Sequence, residues 1–457
     1  MFTEDLTPFF DVEDFGVNIS FDNPNRAEPA SFGSALSLSG DILVVGSYLS
    51  DSDNNGVVFV FEKNSNDTWE QQTFLQPSGL SVDAYFGKSV SIESDTLCIG
   101  CPGNNSVYVY TRINDVWSFF QKIEPDDAIG DSSFGYHVGV SGDYLVITAP
   151  YDNNDQGAVY VYYLSGTWQK VVKLTGNDSV ASDEFGLSLD FEDRTIVIGC
   201  YNSAGDSKGA AYVFYRDSGT GLSSIWSQQD KLQPSELSPG DHFSFDLSYD
   251  NGSETLVVSS PDYYFDSGAV FVYTRSAGIW TKSKVIESPA LMPGEYFGYR
   301  VSYYPGSIVV NSWGDGNGKL YKYSGSGSTW SLTDEFISDN MGLIADSVLI
   351  SSGGEVFSGN QNNELYVLST NFDEVSQIEY ISRYGELQGI FDHEYIAVNN
   401  GDLSYEGYKP TIVCRTEDLV GADLGSFVTV EGFDSTLKII SNQPDGTGVS
   451  VLILHKV

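Results

Sequence analysis

A block of about fifty residues recurs along this chain, and no other feature constrains the fold as much. A repeat of that length folds as one unit and needs its neighbours to bury its apolar face. Clear copies open at Phe32, Phe86, Phe134, Phe185, Phe243 and Phe297. The first reads FGSALSLSGDILVVGS: an aromatic-glycine pair, an alternating strand, a turn at a small or acidic residue, and a second apolar strand ending in Gly or Ser. After a polar loop comes a third strand of the type GVVFVF, at residues 57–61, 107–110, 159–162, 212–214, 270–273 and 320–323. Its period of two predicts a half-buried strand. A fourth strand carries one tryptophan per block, Trp69, Trp117, Trp168, Trp226, Trp280 and Trp330, six of the seven in the chain. Six residues after each stands an apolar side chain, Leu75, Ile123, Leu174, Leu232, Ile286 and Phe336, and the even offset predicts that both lie on one strand face. Four strands per block make one blade of a β-propeller.

Beyond Trp330 the pattern weakens. Three degenerate blocks open near Ile337, at Tyr384-Gly385 and at Leu424-Gly425, with second strands VLISS from Val348, YIAVN from Tyr395 and LKIIS from Leu437. The expected fold is therefore an all-β propeller of four-stranded blades. Nine repeats are counted, with seven or eight blades if the last blocks stand outside the ring. Residues 1–31 form an N-terminal closing segment, 32–336 the six clear blades, and 337–457 the three degenerate repeats, which either complete the ring or form a small appendage. The last block stops after its third strand, VSVLILHKV, while residues 17–21, VNISF, are a spare strand. A propeller removes exposed sheet edges by closure, so these ends are expected to complete one blade together.

The blocks also identify a family. FGSALSLSGDILVVGS, followed by GVVFVF and a Trp strand, resembles the FG-GAP repeat of the integrin α head. The copy at residues 134–163, FGYHVGVSGDYLVITAPYDNNDQGAVYVYY, resembles it most. The resemblance implies a propeller whose rim loops bind partners, and no particular activity.

Charge narrows the partners. Lys and Arg total 22 against 63 Asp and Glu, a formal charge of −41, so the field repels phosphate backbones and anionic membrane surfaces. Nucleic acid and membrane insertion are not expected, whereas cations, neutral glycans or a basic protein patch are tolerated or attracted. No run approaches eighteen consecutive apolar residues, and MFTEDLTPFF lacks the basic and apolar regions of a signal peptide.

The sharpest chemical candidate is Asp51-Ser52-Asp53-Asn54-Asn55-Gly56, whose D-x-D-x-N-G order lays Asp51, Asp53 and Asn55 oxygens around a hard cation. The family resemblance also implies calcium in such a loop, although Phe59 stands where a further acidic ligand belongs. A weaker copy runs through Asp152, Asn154, Gln156 and Gly157; the loops at Asp262, Asp266 and Asp315 keep fragments. The alternative is a solvated Asp/Asn turn. Acidic residues nine places after the openings, Asp41, Asp95, Asp143 and Asp346, are expected at hairpins. Cys98 and Cys101 have no Cys or His pair at metal-ligand spacing, and Cys101 and Cys200 fill equivalent slots, so they read as small buried fillers. His137 reads as a positional variant of a slot held by Ser89, Ser188 or Arg300. Histidine catalysis has few candidates, and the many carboxylates name no glycosidase pair. Neither a catalytic nor an organic-cofactor site is expected.

These observations favour a non-enzymatic structural or interaction propeller, an exposed component of a virion or other extracellular assembly that presents loops to protein or glycan. The alternatives are a secreted or cell-surface adhesion module, calcium-dependent in one version, and a glycan-active enzyme. Location is read as extracellular-facing or virion-associated without a signal peptide, with the cytoplasm left open.

Overall fold

The computed structural model describes residues 18–22, 31–50, 53–65, 68–127, 131–313, 318–337, 345–360, 365–368, 375–378, 386–392, 411–415, 427–430, 437–444 and 449–456. Two compact units emerge, Pro29–Glu379 and a second made of Met1–Glu28 with Tyr380–Val457.

The first unit holds seven four-stranded antiparallel sheets, each with its strands in chain order. These blades span residues 35–75, 90–123, 138–174, 188–232, 247–287, 301–337 and 345–378. The first strand of every blade touches the first strand of the next, and that of blade 7 touches that of blade 1, so the blades form a ring. Serine oxygens link these inner strands: the Ile92, Val140, Tyr303 and Ile350 amides donate to Oγ of Ser37, Ser91, Ser248 and Ser302, each in the preceding blade.

The opening aromatics fill the wedges between blades. Phe32, Phe86, Phe134, Phe185, Phe243 and Phe297 are all fully buried, and each meets a third-strand aromatic edge-on, as Phe86 meets Tyr108 at 5.5 Å. The next residue takes positive φ in all six blocks, with Gly at five of them and Ser244 at the sixth, φ 72°. Ser244 accepts the Cys200 amide and donates to the Ala210 carbonyl, bonds that offset the steric cost of a Cβ there. A second glycine is required where the third strand begins: at Gly268, φ 86°, an added Cβ would lie 2.1 Å from the Phe297 carbonyl oxygen of the next blade.

Three expectations are corrected. The tryptophan and the apolar residue six places on lie on opposite faces, because each fourth strand of blades 1–6 carries a one-residue register shift between them. In blade 1 the shift sets Trp69 opposite Lys63 and Leu75 opposite Val58, reversing the parity. Leu75 therefore packs toward blade 2 and Trp69 toward blade 7, where it meets Phe357 at 5.5 Å.

The block near Ile337 is also shifted by one strand. The apolar start of VLISS, Val348 to Ile350, ends Ala345–Ile350, the first strand of blade 7, which faces the ring axis. No Phe-Gly marks its start, and Asp346 sits at a register irregularity rather than at a hairpin; Asp41, Asp95 and Asp143 do lie in turns.

Finally, the ring has seven blades, the lower of the counts left open beside nine repeats, and it closes without the spare strand. Blade 7 meets blade 1 through Trp69 and Phe357, through the Lys63–Glu355 ion pair at 3.0 Å, and through the Ser347 hydroxyl, which donates to the Gly33 carbonyl. Asn18–Asp22 instead hydrogen-bonds to Glu386–Asp392 and Phe427–Val430. With Thr411–Arg415, Val449–Lys456 and Leu437–Pro444 these strands form a closed six-stranded barrel, in which Val449–Lys456 is not a neighbour of Asn18–Asp22. The proposed opening residues 384–385 and 424–425 and the strand at 395–399 lie outside the described residues. Closing two edges on one another satisfies the same backbone groups that a shared final blade would have satisfied.

Candidate functional site

Along the ring axis runs a channel of about 550 Å³ lined by the first strands of all seven blades. Because strands alternate in direction, the loops joining second to third strands lie at the same end of each sheet as the connections between blades. Aromatic side chains gather around the channel at that end. They come from two slots in the repeat. One is the residue after each opening pair, giving Tyr136, Phe245 and Tyr299; the other directly follows the second strand, giving Tyr48, Tyr201 and Trp313, while Tyr151 stands one residue further on, after Pro150.

Contacts join these residues into two arcs. Tyr201, Phe245, Tyr299 and Trp313 follow one another with ring centroids 6.0, 5.0 and 5.6 Å apart, and the Arg300 guanidinium lies over Phe245 and Tyr299 at 5.5 and 4.8 Å. Tyr136 meets Tyr151 at 6.2 Å, while the Lys88 ammonium lies 4.1 Å from the Tyr48 ring and 5.7 Å from Tyr136. Trp313 is the one tryptophan outside the fourth-strand slot, and Arg300 stands in the slot that holds His137 in blade 3.

Ionisable groups in the channel feel its walls. Burial first, then the nearby Lys88 and Arg300 cations, holds His137 down at about 3, so its imidazole is neutral at pH 7. The Asp190 carboxyl is pushed up to about 7 by burial, against the pull of the Tyr249 and Phe191 amides that it accepts. Burial also raises Asp246, which Arg300 and the Val301 amide pull down. Flat rings beside fixed cations can stack on sugar faces or take an apolar side chain, and can hold a partner's carboxylate.

The sequence-predicted loops lie further along the same connections between second and third strands. Asp51 lies outside the described residues. Asp53 is exposed, and its carbonyl accepts the Asp83 amide at 2.7 Å; the Asn55 carbonyl accepts the Phe86 amide at 2.9 Å, lacing the loop to the connection ahead of blade 2. In the second loop the buried Asp152 carboxylate receives Lys173 Nζ at 2.5 Å and the Tyr160 hydroxyl at 3.3 Å, so an ammonium stands where a cation would bind; Asn154 is exposed. Asp262 pairs with His242 Nδ1 at 2.6 Å, and Asp315 lies outside the described residues. Among the described residues no three His, Cys, Asp or Glu side chains converge to hold a metal ion. No described helix is long and apolar enough to cross a membrane.

Cys98, Cys101 and Cys200 are buried free thiols. Burial pushes all three up, Cys101 to about 11, and Cys101 and Cys200 donate to the Ala84 and Asp183 carbonyls in matching positions. They act as small fillers, as their shared slot predicts.

The family model described as FG-GAP repeat matches residues 25–61, 117–162 and 168–214. No curated protein matches. Among solved structures, a protein from Lactobacillus plantarum is 16% identical, over 66% of this chain and 84% of that one, with a TM-score of 0.48. Three segments of the chain thus match the FG-GAP repeat, and its seven four-stranded sheets are arranged in a ring as a β-propeller.

Proposed function

We propose that this propeller is an interaction module rather than an enzyme, an exposed component of a virion or other extracellular assembly whose loop-bearing face binds protein or glycan. The aromatic mouth of the channel carries this reading. Tyr136, Tyr151, Tyr201, Phe245 and Tyr299 line it with Lys88 and Arg300, Tyr48 and Trp313 pack against these residues, and the ring of blades positions all of them before a partner binds. An excess of carboxylates over the whole chain keeps nucleic acid and anionic lipid away. The test is a glycan array with the purified protein, together with mass spectrometry of particles from the source. Binding that falls at least tenfold on Tyr299→Ala with Trp313→Ala, or the chain's presence in an assembled particle, supports the reading. A monomer absent from particles and silent on the array and against candidate proteins overturns it.

The D-x-D-x-N-G loop at residues 51–56 favours a second reading, a secreted or cell-surface adhesion module in which Asp51, Asp53 and Asn55 hold calcium. Binding on the array that disappears with chelator and returns with calcium distinguishes this version.

A further inference from the structure

The loop between the second and third strands of blade 5 departs from its counterparts in a way that folding does not explain. Tyr264, Phe265 and Asp266 stand in sequence at φ 52°, 60° and 62°, a left-handed turn whose first two side chains disfavour it. Blade 3 makes the same turn with Asn153, Asn154 and Asp155, at φ 54°, 59° and 61°, and Asn and Asp are the residues that tolerate this conformation. Register supplies the comparison. The amides of Phe86, Phe185, Phe243 and Phe297 bond to Asn55, Gln156, Lys208 and Ser267, so the slot of Phe265 is filled by Asp53, Asn154 and Asp206 in blades 1, 3 and 4. Of these four blades only blade 5 carries an aromatic residue there. Neither ring is used in packing: Tyr264 is 67% and Phe265 75% exposed, and they touch each other edge-on at 5.4 Å.

A second apolar pair lies on the connection hydrogen-bonded to this turn. The Gly294 and Tyr296 amides both donate to the Asp266 carbonyl, which laces the turn to the connection entering blade 6. On that connection Leu291 and Met292 are 62% and 60% exposed. Carboxylates border the patch. Asp266 and Glu287 are exposed, and Asp262 lies at the base of the turn. The Tyr296 phenol is raised by burial and then by Asp266 and Asp262, and that of Tyr263 by burial and then by Glu287, Glu236 and Asp241.

We infer that Tyr264, Phe265, Leu291 and Met292 form a docking surface for a protein segment that presents an apolar side chain flanked by lysine or arginine. Apolar rings with a carboxylate border match a basic partner, as does the chain's charge of −41. Unbranched Met292 adapts to side chains, and Leu291 and Met292 offer no flat face for a sugar. The inference rests on the chain being an interaction module and adds where and with what chemistry it binds.

A peptide library displayed on phage, selected on the full chain, provides the probe. Enriched peptides are expected to carry an apolar residue flanked by at least two Lys or Arg. A synthetic enriched peptide should bind at least tenfold more weakly to the Tyr264→Asn, Phe265→Asn variant, and more weakly in higher salt. Because that variant installs the residues blade 3 uses, it should melt at or above the temperature of the unmodified chain, which separates lost docking from lost folding. No enrichment, enrichment without basic residues, or equal binding by the variant overturns the inference. Peptides lost on Tyr299→Ala but kept by the double variant overturn it while leaving the module reading standing. Self-association in sedimentation that the double variant abolishes also overturns it, since the patch would then serve a second copy of this chain.

Discussion

Asp190 occupies a position on the inner strand of blade 4 that serine holds in blades 1, 2, 5 and 6, and it does the same job, accepting an amide, here that of Tyr249, from the next blade. The carboxylate is costly there. Its pKa rises from 3.8 to about 7 in the folded chain, so folding favours the protonated form. The stability it lends is full below pH 3.8 and is lost as pH rises through 7. Asp190→Ser keeps an acceptor and removes the charge. It is expected to gain about 1–2 kcal/mol at pH 8 and little at pH 4, an order of magnitude that follows from the pKa shift reduced for water in the channel. Melting temperatures of both proteins at the two pH values check this. An equal effect at both would show that the carboxylate is not the source. The slot was readable in the sequence only as polar, because what makes Asp190 unusual is burial that arises only when the blades meet around the channel.

At the level of strands, the repeat was legible wherever a residue type is dictated by its own backbone. Phe-Gly openings follow from positive φ beside a buried ring, and the third strands follow from their period of two. What failed was parity. One extra residue between Trp69 and Leu75 leaves no trace in spacing, yet it turns the two side chains into different wedges. Blade 7 was misregistered for a related reason: without Phe-Gly, an apolar run facing the channel reads like a buried second strand. The channel mouth was missed because its rings come from two slots and converge only when the ring closes.

The same wedge logic identifies the seam between blades 7 and 1. Phe357 is fully buried against Trp69, and Lys63 reaches Glu355 beside it. Phe357→Ala is expected to cost about 3–5 kcal/mol, the usual range for emptying a buried aromatic site. Hydrogen exchange should speed up first in residues 35–75 and 345–378, ahead of blades 3 and 4, if the seam is the weak point. Uniform acceleration around the ring would place the weakness elsewhere.

For the whole molecule, closure decides what can fold alone. All seven seams of the ring lie within Pro29–Glu379, and among the described residues the six strands of the barrel, Asn18–Asp22 included, pair with one another. Each seam is built of the same parts, an inner-strand contact and an apolar wedge, so the edges that a shared blade would hide are covered by side-chain packing. A chain reduced to residues 29–379 is therefore expected to fold, giving the β-rich circular dichroism of the propeller and a cooperative melt within a few degrees of the corresponding transition of the full chain. It should also retain the aromatic mouth and the blade 5 patch, all of whose residues lie inside it. An insoluble or unfolded fragment would mean that residues outside the ring hold it closed, and side-chain packing at the Trp69–Phe357 seam would then be insufficient for closure.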